Sequence, residues 1–262
     1  MRQVASALGY PLLTVAAIAA LWIVATDVLR VPSYLFPPLP LVLAKFGTSG
    51  GLLLMHARTT VGEIAAGFAL TLAIGLPLSL AIASWPLLDR LVYPILVASQ
   101  TTPKVAIAPL LVVWMGFGIA PKIFMVVIVA FFPLVISSVV GFKSTPSEMI
   151  RLGRSMGLSR LAMFTKVTLP HALPEVLAGV KVAITLAVIG AVIGEFVGAD
   201  SGLGYLLMSA LSRLDMELMF ADLIVLILIG VVLFGIVAGL ERILIPWHVS
   251  VRRNDAVSAR LS

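Results

Sequence analysis

The sequence predicts an all-α integral membrane protein with six transmembrane helices, forming a single domain over residues 1–262. Two observations carry that prediction. Hydrophobic residues make up 61% of the chain and charged residues 11%, with a mean hydropathy of +1.15. A soluble domain is about 45–50% apolar and about 25% charged, so these residues cannot cover a water-facing surface. The apolar residues also fall in runs of about 20, the length a helix needs to cross a bilayer, without the alternating segments of about 10 residues that mark a membrane barrel. The net charge of +6 and a pI near 10.0 would suggest nucleic acid in a soluble protein. In a membrane protein they read instead as Lys and Arg gathered in cytoplasmic loops, and no nucleic-acid partner is expected. The absence of cysteine excludes structural disulfides, thiol catalysis and thiolate metal sites. His56, His171 and His248 are scattered and form no ligand cluster, so no metal site is expected.

The first span, 8–28, is uncharged until Asp27. It exceeds the apolar core of a signal peptide, about 7–15 residues, and is read as a retained helix. The segment Val31–Arg58 opens with VPSYLFPPLP, too rich in proline for a helix. A short interfacial helix over Leu39–Phe46 and a turn at Gly47–Gly51 follow. The second span is 61–83, with Glu63 at its outer end, where a charge costs little. The third, 91–116, contains Pro103, Lys104 and Pro109. Each proline removes a backbone donor, so this helix is expected to break around Lys104, and broken membrane helices are tolerated where they line a protein-enclosed cavity. Lys104 then either meets an anionic substrate, or forms an ion pair or snorkels to the interface. The fourth span is 122–141. The fifth, 176–198, carries Lys181, expected to snorkel, and Gly190, Gly194 and Gly198 in a stripe continued by Ala183 and Ala187. Small residues at this spacing let helices approach closely, equally within one chain or between two. Glu195 precedes the glycine-rich re-entry GADSGLGY and suits a stabilising or gating contact. The sixth span, 221–240, is uncharged from Leu223 onward.

Orientation follows from the basic residues. With the N-terminus inside, the cytoplasmic segments hold Arg2, Arg90, Lys143, Arg151, Arg154, Arg160, Lys166, Arg242, Arg252, Arg253 and Arg260. The outer segments hold Arg30, Lys45, Arg58, Lys122 and Arg213, so the bias is eleven to five for N-in, C-in. The loop between spans four and five, 142–175, is the longest hydrophilic stretch. Ser147 is expected to cap a helix from Glu148 to about Met156, and Gly157 to turn the chain with a positive φ. Ser159 is expected to cap a second short helix, Arg160–Val167, with Leu161, Phe164 and Val167 on one face. Pro170 and Pro174 are expected to close it. Two such amphipathic helices either lie on the headgroups or dock into a partner.

Gly157, nine intervening residues, and then Val167, Thr168, Leu169 and Pro170 resemble the G-x9-I-x-L-P half of the EAA loop. That loop is the signature of membrane subunits of bacterial binding-protein-dependent ABC importers. Leu169–Leu207 and Ala108–Phe124 are similar to the nitrate/sulfonate/taurine branch of these permeases. The resemblance implies a multi-pass protein of the bacterial cytoplasmic (inner) membrane. It implies that Ser155, Gly157, Leu158, Ser159, Arg160, Leu161, Phe164, Val167, Leu169 and Pro170 form the ATPase-coupling loop. Lys104, Pro103, Pro109 and Glu195 become candidates for the translocation pathway or gate. The implied partners are two copies of an ABC ATPase subunit, a second permease subunit, most simply an identical copy, and a periplasmic or lipid-anchored solute-binding protein. The chain has no G-x-x-x-x-G-K-[ST] phosphate loop. ATP and Mg are therefore assigned to the ATPase, and the chain is read as a pore with no cofactor and no catalytic residue. The substrate is either a small anion (sulfonate, taurine or nitrate) or a vitamin precursor (a thiamine pyrimidine or a riboflavin-like compound). The chain departs from the family at one place: the Glu-Ala-Ala triplet falls at Arg151, Leu152 and Gly153, and none matches. An ATP-independent secondary transporter or channel would show internal repeats or acidic relays. No convincing repeat is visible, and Glu195 is the one deep carboxylate this reading finds. An intramembrane enzyme would need a convergent catalytic constellation, and neither H-E-x-x-H nor G-x-S-x-G occurs.

Overall fold

The computed structural model describes residues 2–247, with side chains described from Leu13 onward, and every regular element in it is a helix. Helix α1 (Arg2–Ile23) ends in a π-helical turn, Val24–Val28. Residues 31–38 of the proline-rich stretch are non-helical, as expected, while Leu39 and Pro40 already belong to the next helix; the stretch folds back so that Trp22 Nε1 donates to the Pro37 carbonyl at 2.9 Å. The rings of Trp22, Phe36 and Phe220 cluster there, with centroids 4.7 to 5.3 Å apart. Helix α2 (Leu39–Thr48) starts with a proline in its first turn, where no N–H is needed. Only Ser49 separates it from α3 (Gly50–Ser84). The expected turn at Gly47–Gly51 thus shrinks to one residue, and the second span begins at Gly50 rather than 61. The reason is tertiary: Leu53, His56 and Thr60 are all buried in this added stretch.

Helix α4 (Pro86–Ser99) leads to a 3₁₀ turn, Lys104–Ile107, and α5 (Ala108–Met115). The two arms meet at 91°, which is the break expected around Lys104. Gly116 and Gly118, with φ of 77° and 133°, turn the chain into α6 (Ile119–Lys143). Then come α7 (Ser147–Ser155), α8 (Arg160–Met163), a π-helical turn at Phe164–Thr168, and α9 (Leu169–Phe196). Helices α10 (Leu203–Ser212) and α11 (Met216–Leu244) complete the described residues. Among these, Gly50–Ser84, Ile119–Lys143, Arg160–Phe196 and Met216–Leu244 are long and apolar enough to cross a membrane; the bent α4–α5 pair is either a broken fifth span or a re-entrant loop. The described part of the first span, Leu13–Val28, is a shorter apolar helix. Arg252, Arg253, Arg260 and His248 lie outside the described residues.

Pro170 and Pro174 do not close a short helix. The backbone runs helically from Arg160 to Phe196 through both. The wide turn at Phe164–Thr168 explains why: the Leu169 N–H reaches back five residues to Phe164 O. The i→i−4 ladder is interrupted just before Pro170, where proline has no N–H to contribute. The fifth span therefore starts in what the sequence marks as loop 142–175.

Helix α6 lies at the centre, packed most extensively on α9 and next on α3. Glycines set the approach. A Cβ on Gly190 would lie 2.8 Å from Val126 Cα, one on Gly194 3.0 Å from Lys122 Cα, and one on Gly67 2.5 Å from Val126 Cβ. The small-residue stripe of α9 thus faces α6 of the same chain, and Ala183 and Ala187 are fully buried in the core with Ile64, Val126 and Leu134. Gly198 lies past the helix end, with φ of 76°. Lys181 does not snorkel: its Nζ pairs with Glu241 Oε2 at 2.7 Å, tying α9 to α11.

Candidate functional site

The first candidate region is the knee between α7 and α8. Helix α7 starts at Ser147, so Pro146 occupies the capping position and Ser147 lies one residue past it. The Ser147 hydroxyl donates instead to Glu148 Oε1 at 3.0 Å and accepts from Arg151 Nη2 at 3.0 Å. The helix ends as a glycine-terminated helix should. Gly157 has φ of 75°, its N–H bonds to Arg154 O, and the Leu158 N–H bonds to Gly153 O at 3.1 Å. Ser159 caps α8 by accepting from the Ala162 N–H at 3.2 Å. Met149, Leu152, Met156 and Leu161 are exposed around this knee, while Phe164 and Val167 are half-buried. Gly153, at the last position of the mismatched triplet, is buried: a Cβ there would lie 2.5 Å from Met163 Cε. The atom it would meet is the flexible end of Met163, so a larger residue there requires that side chain to move aside. Behind the knee is a cavity of about 410 Å³ lined by Lys166, Val167, Pro170, His171 and Trp247, among others.

The pathway candidates occupy two separate environments. Pro103 and Lys104 stand at the α4–α5 break, and Pro109 is in the first turn of α5. Lys104 Nζ donates to Gln100 O at 3.4 Å and lies 5.7 Å from the centroid of Phe132. No carboxylate among the described residues lies within ion-pair distance of it. Glu195 shares no partner with Lys104. Lys122, beside Glu195, and Phe132 are separated by about 15 Å along α6 at 1.5 Å per residue.

Glu195 belongs to a buried polar cluster that the sequence reading found only in part. Glu195, Glu63 and Lys122 are 1%, 1% and 4% exposed. Lys122 Nζ pairs with Glu63 Oε1 at 2.9 Å and donates to Ser201 O at 3.2 Å. The Thr60 hydroxyl donates to Glu195 Oε1 at 2.6 Å, and the Gly204 N–H donates to Glu195 Oε2 at 2.5 Å. The Leu203 N–H donates to Thr60 Oγ1 at 2.8 Å, and the Gly202 N–H to His56 Nδ1 at 3.0 Å. Glu63 is therefore no interfacial helix-end charge, because α3 begins thirteen residues before it, at Gly50. Lys122, counted with the outer loop, is a buried partner. The available signal was the presence of Glu63 and Lys122 at the edges of apolar runs, where each charge needs a partner. Asp222, one residue before the uncharged run of the sixth span, is also fully buried; neither of its carboxylate oxygens has a hydrogen-bond partner among the described residues.

Comparison with known proteins agrees with this architecture. The chain is 35% identical to the formylaminopyrimidine transport permease protein of Halalkalibacterium halodurans, over 87% of this chain and 91% of that one. It is 35% identical to the riboflavin transport system permease protein of Chloroflexus aurantiacus, over 93% and 91%. It is 31% identical to the taurine transport system permease protein of Escherichia coli, over 94% and 91%. Among solved structures, the MetNI methionine ABC transporter in an inward-facing conformation superposes with a TM-score of 0.64 at 21% identity, over 74% of this chain and 97% of that one, a likeness of fold. Residues 73–246 match the model of the binding-protein-dependent transport system inner membrane component. The match takes in the α4–α5 break, the knee and the end of the polar cluster that closes on α10, and the chain belongs to this family of multi-pass inner-membrane ABC permeases.

Proposed function

We propose that this permease forms the translocation pathway of an ATP-driven importer, with six spans, both termini in the cytoplasm and the α7–α8 knee docked on an ATPase subunit. The observation that carries this reading is the knee. Four apolar side chains, Met149, Leu152, Met156 and Leu161, stand exposed beside a turn set by one positive-φ glycine. Exposed apolar groups on short helices are what a partner's groove takes up. Two such permeases, most simply identical, pair with two ATPase subunits, which hold ATP and Mg. A periplasmic or lipid-anchored binding protein delivers the solute. The relatives named for a formylaminopyrimidine and for riboflavin, each 35% identical, favour a small heterocyclic vitamin precursor. A small anion is the second reading, favoured by Lys104, a cation without a carboxylate partner among the described residues, at the α4–α5 break between Pro103 and Pro109. Copurification of the tagged chain in mild detergent tests the assembly. An ATPase subunit recovered with ATP turnover supports it, and ligand screening of the cognate binding protein separates the substrates. Solute uptake by the chain alone without ATP would replace this reading with a secondary transporter.

The knee carries its own prediction. Gly157→Val puts a β-branched residue at φ of 75°, at a cost of about 1–2 kcal/mol. Open space surrounds that position, so the strain comes from the backbone and not from crowding. The variant is expected to insert normally and lose substrate-stimulated ATPase activity. Gly157→Asn, which tolerates the left-handed region, is expected to keep most of it. Normal coupling in the valine variant would remove the role assigned to this turn.

A further inference from the structure

Four successive residues leaving α9 are each held by a side chain from elsewhere. Lys122 binds the carbonyl of Ser201, and the N–H groups of Gly202, Leu203 and Gly204 go to His56, Thr60 and Glu195. The first amides of a helix lack intrahelical partners and are usually satisfied by a capping residue close in sequence. Helix α10 has no such cap, because its N-cap is Gly202. Its start is capped by α3 and α9 instead. The glycines make this possible, since a Cβ on Gly202 would collide with the Glu195 carboxylate and one on Gly204 would lie 2.8 Å from Glu195 Oε2.

We infer that the Glu63–Lys122–Glu195 cluster, acting through Thr60 and His56, is a latch that shuts the outer end of the permease by holding the Ser201–Gly204 turn against α3. This inference rests on the importer reading for which end is outer. The chemistry suits a two-state device. Hydrogen bonds of this kind fail within about an ångström of separation. They are strong in a dry, low-dielectric site and weaken once water enters. Apolar packing would yield gradually, whereas these bonds let go together. His56 and Tyr205 also line a cavity of about 330 Å³ between α3 and α10, so the latch is within reach of the surface.

The chain has no cysteine, so an introduced one reports without background. Leu203 is fully buried, and Leu203→Cys is to be labelled with a maleimide in proteoliposomes of the full chain. Adding Thr60→Val, which keeps the side-chain shape but removes the hydroxyl's contacts with Glu195, Leu203 and the His56 carbonyl, is expected to raise the labelling rate about tenfold. Lys45→Met, which breaks an ion pair on α2 instead, is expected to leave the rate unchanged. Equal rates with and without Thr60→Val overturn the latch. A second test does not depend on how well that variant folds. The Thr60→Cys, Leu203→Cys pair, oxidised in the complex with its ATPase, is expected to stop uptake, and reduction to restore it. Undiminished uptake with the disulfide formed overturns the latch. The labelling result requires no transport, so it stands apart from the importer reading, which fails separately if the unsubstituted chain takes up solute without ATP.

Discussion

Asp222 is fully buried in α11 with both carboxylate oxygens unpartnered among the described residues. A buried acceptor without a donor carries its full desolvation cost, about 1–3 kcal/mol. Asp222→Leu, which removes both unpartnered oxygens at similar side-chain shape, is therefore expected to raise the melting temperature in detergent by about 2–4 °C. A fall would mean that the carboxylate finds a partner in the assembled transporter. Residues of this kind were the least legible in the sequence. Glu63 passes for a harmless helix-end charge only while the second span is drawn from 61. With α3 starting at Gly50 it is an interior charge paired to Lys122. Lys181 likewise passes for a snorkelling lysine until Glu241, sixty positions away, arrives within 2.7 Å. Hydropathy registers that a charge is present, and the identity of its partner depends on which helices pack together.

At the scale of the element, the start of α11 combines two interactions in one residue. Asp215 accepts from the Leu218 N–H at 3.0 Å as N-cap, and it pairs with Lys45 of α2 at 2.9 Å. Burial pushes the Asp215 carboxyl up, but the Lys45 hydrogen bond, the Leu218 N–H and the Lys45 charge outweigh it and hold it below the ordinary aspartate value of 3.8. The hydrogen bond from Asp215 in turn raises the Lys45 ammonium above 10.5. The signs fix the pH window. The Asp215 contribution is complete above 3.8 and is lost as pH falls through its lower folded value. The Lys45 contribution is complete below 10.5 and is lost as pH rises through its higher folded value. Both groups are partly exposed, so Asp215→Asn, which keeps the cap, is expected to cost less than about 1 kcal/mol at neutral pH. That difference is expected to vanish under acid conditions, as unfolding at stepped pH will show. Asp215→Ala also loses the cap and is expected to cost about 1 kcal/mol more. Elements with local signals were legible: the glycine turn at Gly157, the cap at Ser159 and the break at Lys104 all lie where the sequence puts them. The continuation of α8 into α9 was not, because proline reads as a stop unless the preceding turn has already given up the hydrogen bond that proline cannot make.

Over the whole molecule, α3, α6 and α9 are drawn together by glycines whose missing side chains are occupied by α6, by its backbone at Gly190 and Gly194 and by its side chains at Gly67 and Gly75. Gly190→Ala sets a Cβ 2.8 Å from Val126 Cα, an atom with no freedom to rotate away, and is expected to destabilise by about 1–3 kcal/mol. Gly230→Ala in α11, where nothing lies within 4 Å, is expected to be neutral or slightly stabilising. Unfolding of the two variants in the same detergent checks the contrast. Composition made the membrane class legible, and run length made the order of most spans so. The partner of the α9 stripe was not legible, because small residues permit close approach without naming the helix that approaches. The unbroken helical path from Arg160 to Phe196 joins two places that the chain order keeps far apart. At 1.5 Å per residue it is about 55 Å long, well beyond the hydrocarbon thickness of about 30 Å. It has the glycine knee at one end and Glu195 at the other. On the coupling reading proposed above, a tilt imposed where α8 begins would pass along this one element, through the joint that the π-helical turn at Phe164–Thr168 makes, to the carboxylate that holds the start of α10.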